Sequence, residues 1–257
     1  MSNNNRPRLD GKVFVVTGAT KGIGTSIAER IVCEGGRVVI TGRDSQAGTR
    51  LVDAMGADFC FFVNADITTV EGCSRGIMAA TERFGRLDGL VNNAGIFPRA
   101  SLLETDEDLL DTVLAVDLKG AFHSCRFAIP VMAEMGGGSI VNVGSTHAWG
   151  GSKRLAAYAV SKGALWTLTQ HIAMNYASDR IRANWVTVGW VETPGETSRL
   201  AQEGRDEAWL RSEGARRVPL GRLQSGDDIA YAVVYLLADE SAQVTGTAIH
   251  VTGGFLP

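Results

Sequence analysis

Tyr158 and Lys162 stand four residues apart in a run from Tyr158 to Tyr176 that is rich in Ala and Leu and reads as a helix. Residues at that spacing share one helical face. A phenol alone holds its proton too tightly for exchange near neutrality. A lysine cation beside it favours the phenolate, so the pair makes a sensible acid/base unit for a proton on an alcohol or carbonyl oxygen. Ser145 lies thirteen residues before Tyr158, just past the β-like run Ser139 to Val143. There its hydroxyl would reach the same crevice or cap a turn. Each residue alone is commonplace. Their combination points to chemistry.

A second group concerns phosphate. Thr17-Gly18-Ala19-Thr20-Lys21-Gly22-Ile23-Gly24 sits between a β-branched apolar run, Val13 to Val16, and a helical stripe, Ile23 to Cys33. Glycines at a strand-to-helix turn allow close approach of a dinucleotide pyrophosphate to a helix N-terminus, although such turns also arise for structural reasons. The next strand-like run, Arg37 to Thr41, leads into Gly42-Arg43-Asp44. A carboxylate at this strand end favours a free ribose 2′-OH, and an arginine favours a 2′-phosphate. Arg43, with Lys21 as a second cation, therefore favours NADP(H), while the neighbouring Asp44 leaves NAD(H) open; both cations also read as solvated surface charges. Asn92-Asn93-Ala94-Gly95 follows another strand-like run and reads either as cofactor lining or as an Asx turn. Asp66 is ambiguous between a helix cap and an adenine contact.

These residues need a scaffold that gathers strand ends. Seven apolar, β-rich runs supply one: Val13–Val16, Arg37–Thr41, Phe59–Val63, Gly89–Val91, Ser139–Val143, Arg182–Val188 and Ala248–Val251. Runs without polar alternation suit strands covered on both faces. Helical stretches intervene at Ile23–Cys33, Thr69–Phe84, Leu109–Met135, Tyr158–Tyr176 and Asp228–Leu237, with Pro130 expected to kink or interrupt the third. The alternation predicts an α/β fold, a Rossmann-type doubly wound domain with a seven-stranded parallel sheet flanked by helices. One domain is expected over residues 9–257 after a polar tail, 1–8.

Composition removes other classes. With 25 Lys plus Arg against 28 Asp plus Glu, the net charge is −3, which argues against nucleic acid. The first eleven residues lack the apolar core of a signal peptide, and no run of about 18 apolar residues suggests a membrane span. A cytoplasmic protein is expected. Cys33, Cys60, Cys73 and Cys125 lack metal-ligand spacing and read as buried thiols, so no metal is called for.

Taken together, the Thr17 to Gly24 turn, Asn92 to Gly95, Ser145 with Tyr158 and Lys162, and the closing Thr252-Gly253-Gly254 resemble the short-chain dehydrogenase/reductase family over about Leu9 to Gly254. The resemblance implies Tyr158 as catalytic acid/base, Lys162 as its activator and a holder of the nicotinamide ribose, and Ser145 as the group orienting the substrate oxygen. It further implies Gly18, Thr20, Gly22, Ile23 and Gly24 around the pyrophosphate, and Asp66 with Ile67 near the adenine. Asn93, Ala94 and Gly95 would line the cofactor, and Val191 and Thr193 would touch its carboxamide. Lys21 and Arg43 match basic positions of NADP-preferring members, and Gly42 stands where NAD-preferring members carry Asp. A homotetramer is implied as well.

Two departures stand out. Asp117, in Val116-Asp117-Leu118-Lys119-Gly120, occupies a position where the family has a catalytic Asn that holds a relay water. Val188 precedes Gly189 where Pro is usual, which predicts a looser loop after it. Substrate selection is expected from His147, Trp149, Arg154 and Trp190, with Phe97 and Arg99 nearby and a mobile lid, 190–218, carrying a short helix. The lid arginines read either as anchors for an anion or as solvated charges. The expected reaction is NADP(H)-dependent interconversion of a secondary alcohol and a carbonyl, on a small-molecule substrate such as a sugar or polyol. The alternatives are a 3-oxoacyl thioester reductase, or an impaired NADP(H)-binding sensor marked by Asp117.

Overall fold

The computed structural model describes residues 7–255. Its seven strands are β1 (Val13–Val16), β2 (Arg37–Gly42), β3 (Cys60–Asn64), β4 (Gly89–Asn92), β5 (Gly138–Val143), β6 (Ile181–Val188) and β7 (Ala248–Val251). All pair in parallel, in the order β3-β2-β1-β4-β5-β6-β7. Helices α1 (Ile23–Cys33), α2 (Ser45–Met55), α3 (Val70–Phe84), α4 (Glu107–Leu114), α5 (Gly120–Glu134), α6 (Ala156–Asn175), α7 (Pro194–Gln202), α8 (Glu207–Arg217) and α9 (Gly226–Leu237) make the crossovers and the segment 190–218, expected as a lid.

Strand residues alternate between two cores. Phe14 and Val16 point into an apolar layer with Ile27, Ile31, Ile229 and Val233 of α1 and α9. Val13 and Val15 point the other way, to Ile77 of α3, Met132 of α5 and Ile172 of α6. Each such side chain contributes about 1.5–3 kcal/mol by leaving water. Both faces are therefore covered, which is why the strands lack polar alternation. Chain order reverses between β1 and β4, so a crevice opens at their carboxyl ends. The residues with phosphate or proton chemistry lie on strand ends and helix starts bordering that side of the sheet.

Several expectations need correction. The segment 45–55 forms α2, unforeseen because its apolar residues make no long stripe; Asp44 caps it by accepting from Ala47 N–H (2.9 Å). The long helix breaks not at Pro130, which lies inside α5, but at a π turn, 115–119, where Gly120 N–H donates to Ala115 O. The lid carries two helices, α7 and α8. Residues 1–6 of the expected tail lie outside the described residues, while Arg8 pairs with Glu240 (2.9 Å) and Leu9 is buried. Cys60, Cys73 and Cys125 are buried and Cys33 is exposed. Burial pushes the thiols of Cys60 and Cys125 up to about 12.

Candidate active site

The phosphate end of the crevice is built by main chain. Thr17 Oγ1 accepts from the N–H groups of Asn93 (3.1 Å) and Ala94 (3.2 Å), tying the β1 turn to the β4 turn. Asn93 returns the tie: its Nδ2 donates to Thr17 O (2.9 Å) and Gly18 O (3.0 Å). Gly18 has φ +62°, and a Cβ there would come 2.7 Å from Ala94 Cα. A Cβ on Gly24 would lie 2.5 Å from Asn93 Nδ2 and 2.7 Å from Gly18 O. Gly22 precedes α1 with no side-chain cap, and the first turn holds no acidic residue. Its N–H groups are thus left for an anion, which the helix dipole favours. A cleft of 470 Å³ opens here, lined among others by Thr20, Lys21, Gly22, Arg50 and Thr193. A dinucleotide pyrophosphate fits this cradle, because the α1 N-terminus has no side-chain cap and Lys21 and Gly22 line the cleft beside it.

Around the neighbouring strand ends the charges sort themselves. Arg43 is exposed beyond β2, whereas Asp44 is turned to its helix cap. Gly42 has a packing reason as well, since a Cβ there would meet Thr20 Cγ2 at 2.7 Å. Asp66 accepts from Thr68 N–H (2.9 Å) and Thr68 Oγ1 (2.8 Å), and those bonds, with Arg43 as a smaller cause, hold its carboxyl below the usual range. The cap of α3 is Thr69, not Asp66. Ile67 comes next, and a Cβ on Gly120 would reach its Cγ1 at 2.6 Å.

The reaction end converges from four segments. Tyr158 lies in the first turn of α6, one turn ahead of Lys162. Lys162 is 4% exposed; its Nζ donates to Val143 O (3.2 Å) and stands 5.6 Å from the Tyr158 ring centre. Asp117, carried inward by the π turn, is 0% exposed. Its Oδ1 accepts from Ile96 N–H (2.8 Å), and its Oδ2 faces Lys162 Nζ at 3.8 Å without a hydrogen-bond partner among the described residues. Burial pushes the Asp117 carboxyl up, against the pull of Lys162 and of the Ile96 N–H. Gly95 leaves room beside this pair: a Cβ there would lie 3.4 Å from Lys162 Nζ. Ser145 Oγ is buried and accepts from His147 N–H (3.2 Å), which leaves its own O–H to donate.

The expected substrate residues divide. The His147 ring lies 6.2 Å from the Tyr158 ring, and burial, then the Arg99 charge, push its pKa down. Trp149, 51% exposed, turns instead towards Trp166, Trp185 and His250. Arg154 is exposed, with its charge towards Glu104. Trp190 Nε1 donates to Glu196 (2.9 Å), a buried lid carboxylate that sequence reasoning passed over. Phe97, expected near the substrate, lies 6.0 Å from the Tyr158 ring, whereas Arg50 on the cleft wall had no distinguishing signal in the sequence. Val188 pairs with Val251, and after it Gln224 exchanges backbone hydrogen bonds with Trp190 and Glu192. Val191 pairs with Gln224, and Thr193 caps α7 close to Gly22.

Comparison with known proteins places the chain in a family. A family model described as Enoyl-(Acyl carrier protein) reductase matches residues 18–256. A Caenorhabditis elegans protein, dehydrogenase/reductase SDR family member 4, is 34% identical over 98% of this chain and 97% of its own. The NADP-dependent (R)-specific alcohol dehydrogenase of Lentilactobacillus kefiri is 36% identical over 96% of this chain and 98% of its own. Among solved structures, 3-ketoacyl-(acyl-carrier-protein) reductase from Brucella melitensis complexed with NADH aligns with TM-score 0.87 and 32% identity, over 95% of this chain and 98% of that one. The glycine cradle at β1 and the Tyr158–Lys162 helix thus sit in a chain that belongs to the short-chain dehydrogenase/reductase family, an oxidoreductase acting on CH–OH and C=O groups.

Proposed function

We propose that the protein is an NADP(H)-dependent oxidoreductase that interconverts a secondary alcohol and the corresponding ketone, with Tyr158 exchanging the proton. The observation that carries this reading is the burial of the Lys162 ammonium between Val143 O and Asp117, 5.6 Å from the Tyr158 ring. Bound nicotinamide supplies or accepts the hydride. The chain does the rest. Ser145 donates its O–H to the substrate oxygen, Tyr158 takes or returns the proton on that oxygen, and Lys162 holds a positive charge beside the phenol. Asp117 gives the ammonium a counter-charge in place of the family's Asn; this favours the lysine as a cation and weakens its pull on the phenol proton. The apparent pKa in the pH–rate profile therefore falls in Asp117→Asn, whereas an impaired sensor shows no turnover in either form.

The cofactor phosphates rest on Gly18, Gly22, Ile23 and Gly24, with Thr20, Asn93, Ala94, Gly95, Val191 and Thr193 closing around the rest, and Asp66 and Ile67 at the adenine. Lys21 and Arg43, joined by Arg50 on the cleft wall, supply cations suited to a 2′-phosphate, and the competing Asp44 is engaged as a cap. Arg43→Asp shifts the ratio of kcat/KM towards NAD(H) by about tenfold or more; an enzyme that already prefers NADH overturns this part.

A hydroxylated substrate, a sugar, polyol or related compound, suits a pocket with Ser145 and His147 beside Tyr158. The runner-up, a 3-oxoacyl thioester, draws support from the likeness to the Brucella 3-ketoacyl reductase. Against it, the lid arginines are matched by lid glutamates (Arg199 with Glu196 and Glu203, Arg211 with Glu192, Arg216 with Glu213), so the lid lacks the basic face an acidic carrier needs. NADPH consumption over both substrate classes separates them. No described helix is long and apolar enough to cross a membrane, and we place the protein in the cytoplasm. Exposed Leu103, Phe122, Val160 and Met174 support a homotetramer, checked by light scattering.

A further inference from the structure

Arg99 stands on a loop pinned at both ends beside the reacting groups. Behind it, Ile96 N–H donates to Asp117 Oδ1 (2.8 Å). Ahead of it, Ala100 pairs with Leu155, and Ala156 N–H donates to Ala100 O (3.4 Å) where α6 begins. The loop is thereby fastened to the helix that carries Tyr158. The Arg99 guanidinium carbon lies 6.0 Å from the Phe97 ring centre, and the Phe97 ring in turn meets the Tyr158 ring at 6.0 Å. His147 lies 6.2 Å from that same ring, its Nδ1 buried and without a partner among the described residues.

Arg99 is half-buried, yet it makes no hydrogen bond or ion pair with a described residue. Two carboxylates face it, and both are committed elsewhere. Glu196 binds Arg199 in a bidentate fork (2.7 and 2.9 Å) and Glu203 binds Arg199 Nη1 (2.6 Å). What remains around Arg99 is a second cation, Arg199, and the uncharged rings of Phe97 and Tyr158. Burial first, and Arg199 next, push the Arg99 guanidinium down, outweighing Glu196, Glu203 and Tyr158. A desolvated cation without a counter-ion is unfavourable by itself. A bidentate anion would complete it.

We propose that Arg99 selects the substrate: it binds the anionic group of a hydroxy acid or oxo acid whose reacting carbon lies at Tyr158. This rests on the dehydrogenase reading and narrows its substrate class. A carboxylate, sulfonate or phosphate shares the required chemistry, and Arg99 meets it with a planar fork while His147 offers a neutral polar edge beside the reacting carbon. A 3-oxoacyl thioester brings no charge to this point, so the free acid is the better fit.

The test compares kcat/KM for short hydroxy acids, their methyl esters, and hydroxy sulfonates and phosphate esters, in the unaltered enzyme, Arg99→Gln and Arg99→Lys. The proposal expects one anionic series to outperform its esters. Arg99→Gln lowers kcat/KM for the acid about 10- to 100-fold through KM, leaves the ester unchanged, and is partly rescued by Arg99→Lys. The melting temperature does not fall in Arg99→Gln, because Arg99 makes no hydrogen bond or ion pair with a described residue. Which anion responds most identifies the head group. Acid and ester turned over equally, with the ratio unmoved in Arg99→Gln, overturn the proposal while the dehydrogenase reading stands. Turnover of neither member of any pair, with NADPH bound, overturns both.

Discussion

The wall of the crevice built from the β1 and β4 turns is held by main chain, whereas the wall built from residues 190–218 is held by charged side chains. In the first, Thr17 and Asn93 exchange hydrogen bonds with backbone groups, and glycines let two chain segments approach within contact distance. In the second, Glu196, Arg199 and Glu203 form a chain of ion pairs, and Arg211 reaches Glu192 (2.9 Å). Main-chain geometry resists salt and pH. The exposed pairs, Arg211–Glu192 most of all, are screened by salt and contribute little each, while the partly buried Arg199–Glu196 pair is screened least. The two walls are therefore supported in different ways, as the proposed cofactor cradle and substrate cover require.

The largest expected effect attacks the rigid wall. Gly24→Ala forces a methyl into Gly18 O and Asn93 Nδ2, and NADPH affinity falls at least about tenfold with a loss of roughly 1–3 kcal/mol in stability. Calorimetric binding and thermal melts measure both. An unchanged affinity would mean that the tight turn does not shape the phosphate site.

A smaller effect belongs to the other wall. Glu196→Gln loosens Arg199 and Trp190 together, so KM for substrate rises severalfold while NADPH binding holds. High salt acts in the same direction on the unaltered enzyme. A drop in cofactor affinity instead would erase the contrast between the walls.

The smallest effect is one of pH. His147 keeps a folded pKa below its ordinary value of 6.5, so it stays neutral in the native protein at neutral pH. As pH falls through 6.5 the unfolded chain takes up a proton that the folded chain declines, and stability drops until the folded value is passed. His147→Gln flattens that part of the stability curve. Histidine resonances in Arg99→Gln should show the His147 value rising, since Arg99 is one of its causes.

The two walls also differ in how far the sequence disclosed them. Strands β1 and β7 and helix α1 begin and end where the apolar runs do, and the Thr17 to Gly24 turn sits where the strand-to-helix change requires. Backbone constraints leave marks in residue type, glycine above all. Ion pairs leave almost none. Five lid arginines interspersed with glutamates read equally as anchors or surface charge, and only geometry matches them to partners. Helix α2 escaped because its first half is polar, and the π turn at 115–119 escaped because no residue type marks it; Pro130, expected to kink or interrupt the helix, lies inside α5. Trp149 and Arg154 were grouped with the site by proximity in sequence, yet Trp149 turns to Trp166 and Trp185 and Arg154 faces solvent. Arg99 was visible as a residue. Its lack of a counter-ion was not.

In the proposed reaction Tyr158 moves the proton on a cradle that binds NADPH independently of it. Tyr158→Phe tests this most directly, with NADPH binding followed by tryptophan fluorescence and turnover by NADPH absorbance in the same preparation. The account predicts unchanged NADPH affinity and a loss of about 100- to 10,000-fold in kcat. Turnover that survives the substitution, or NADPH binding that vanishes with it, would contradict the account.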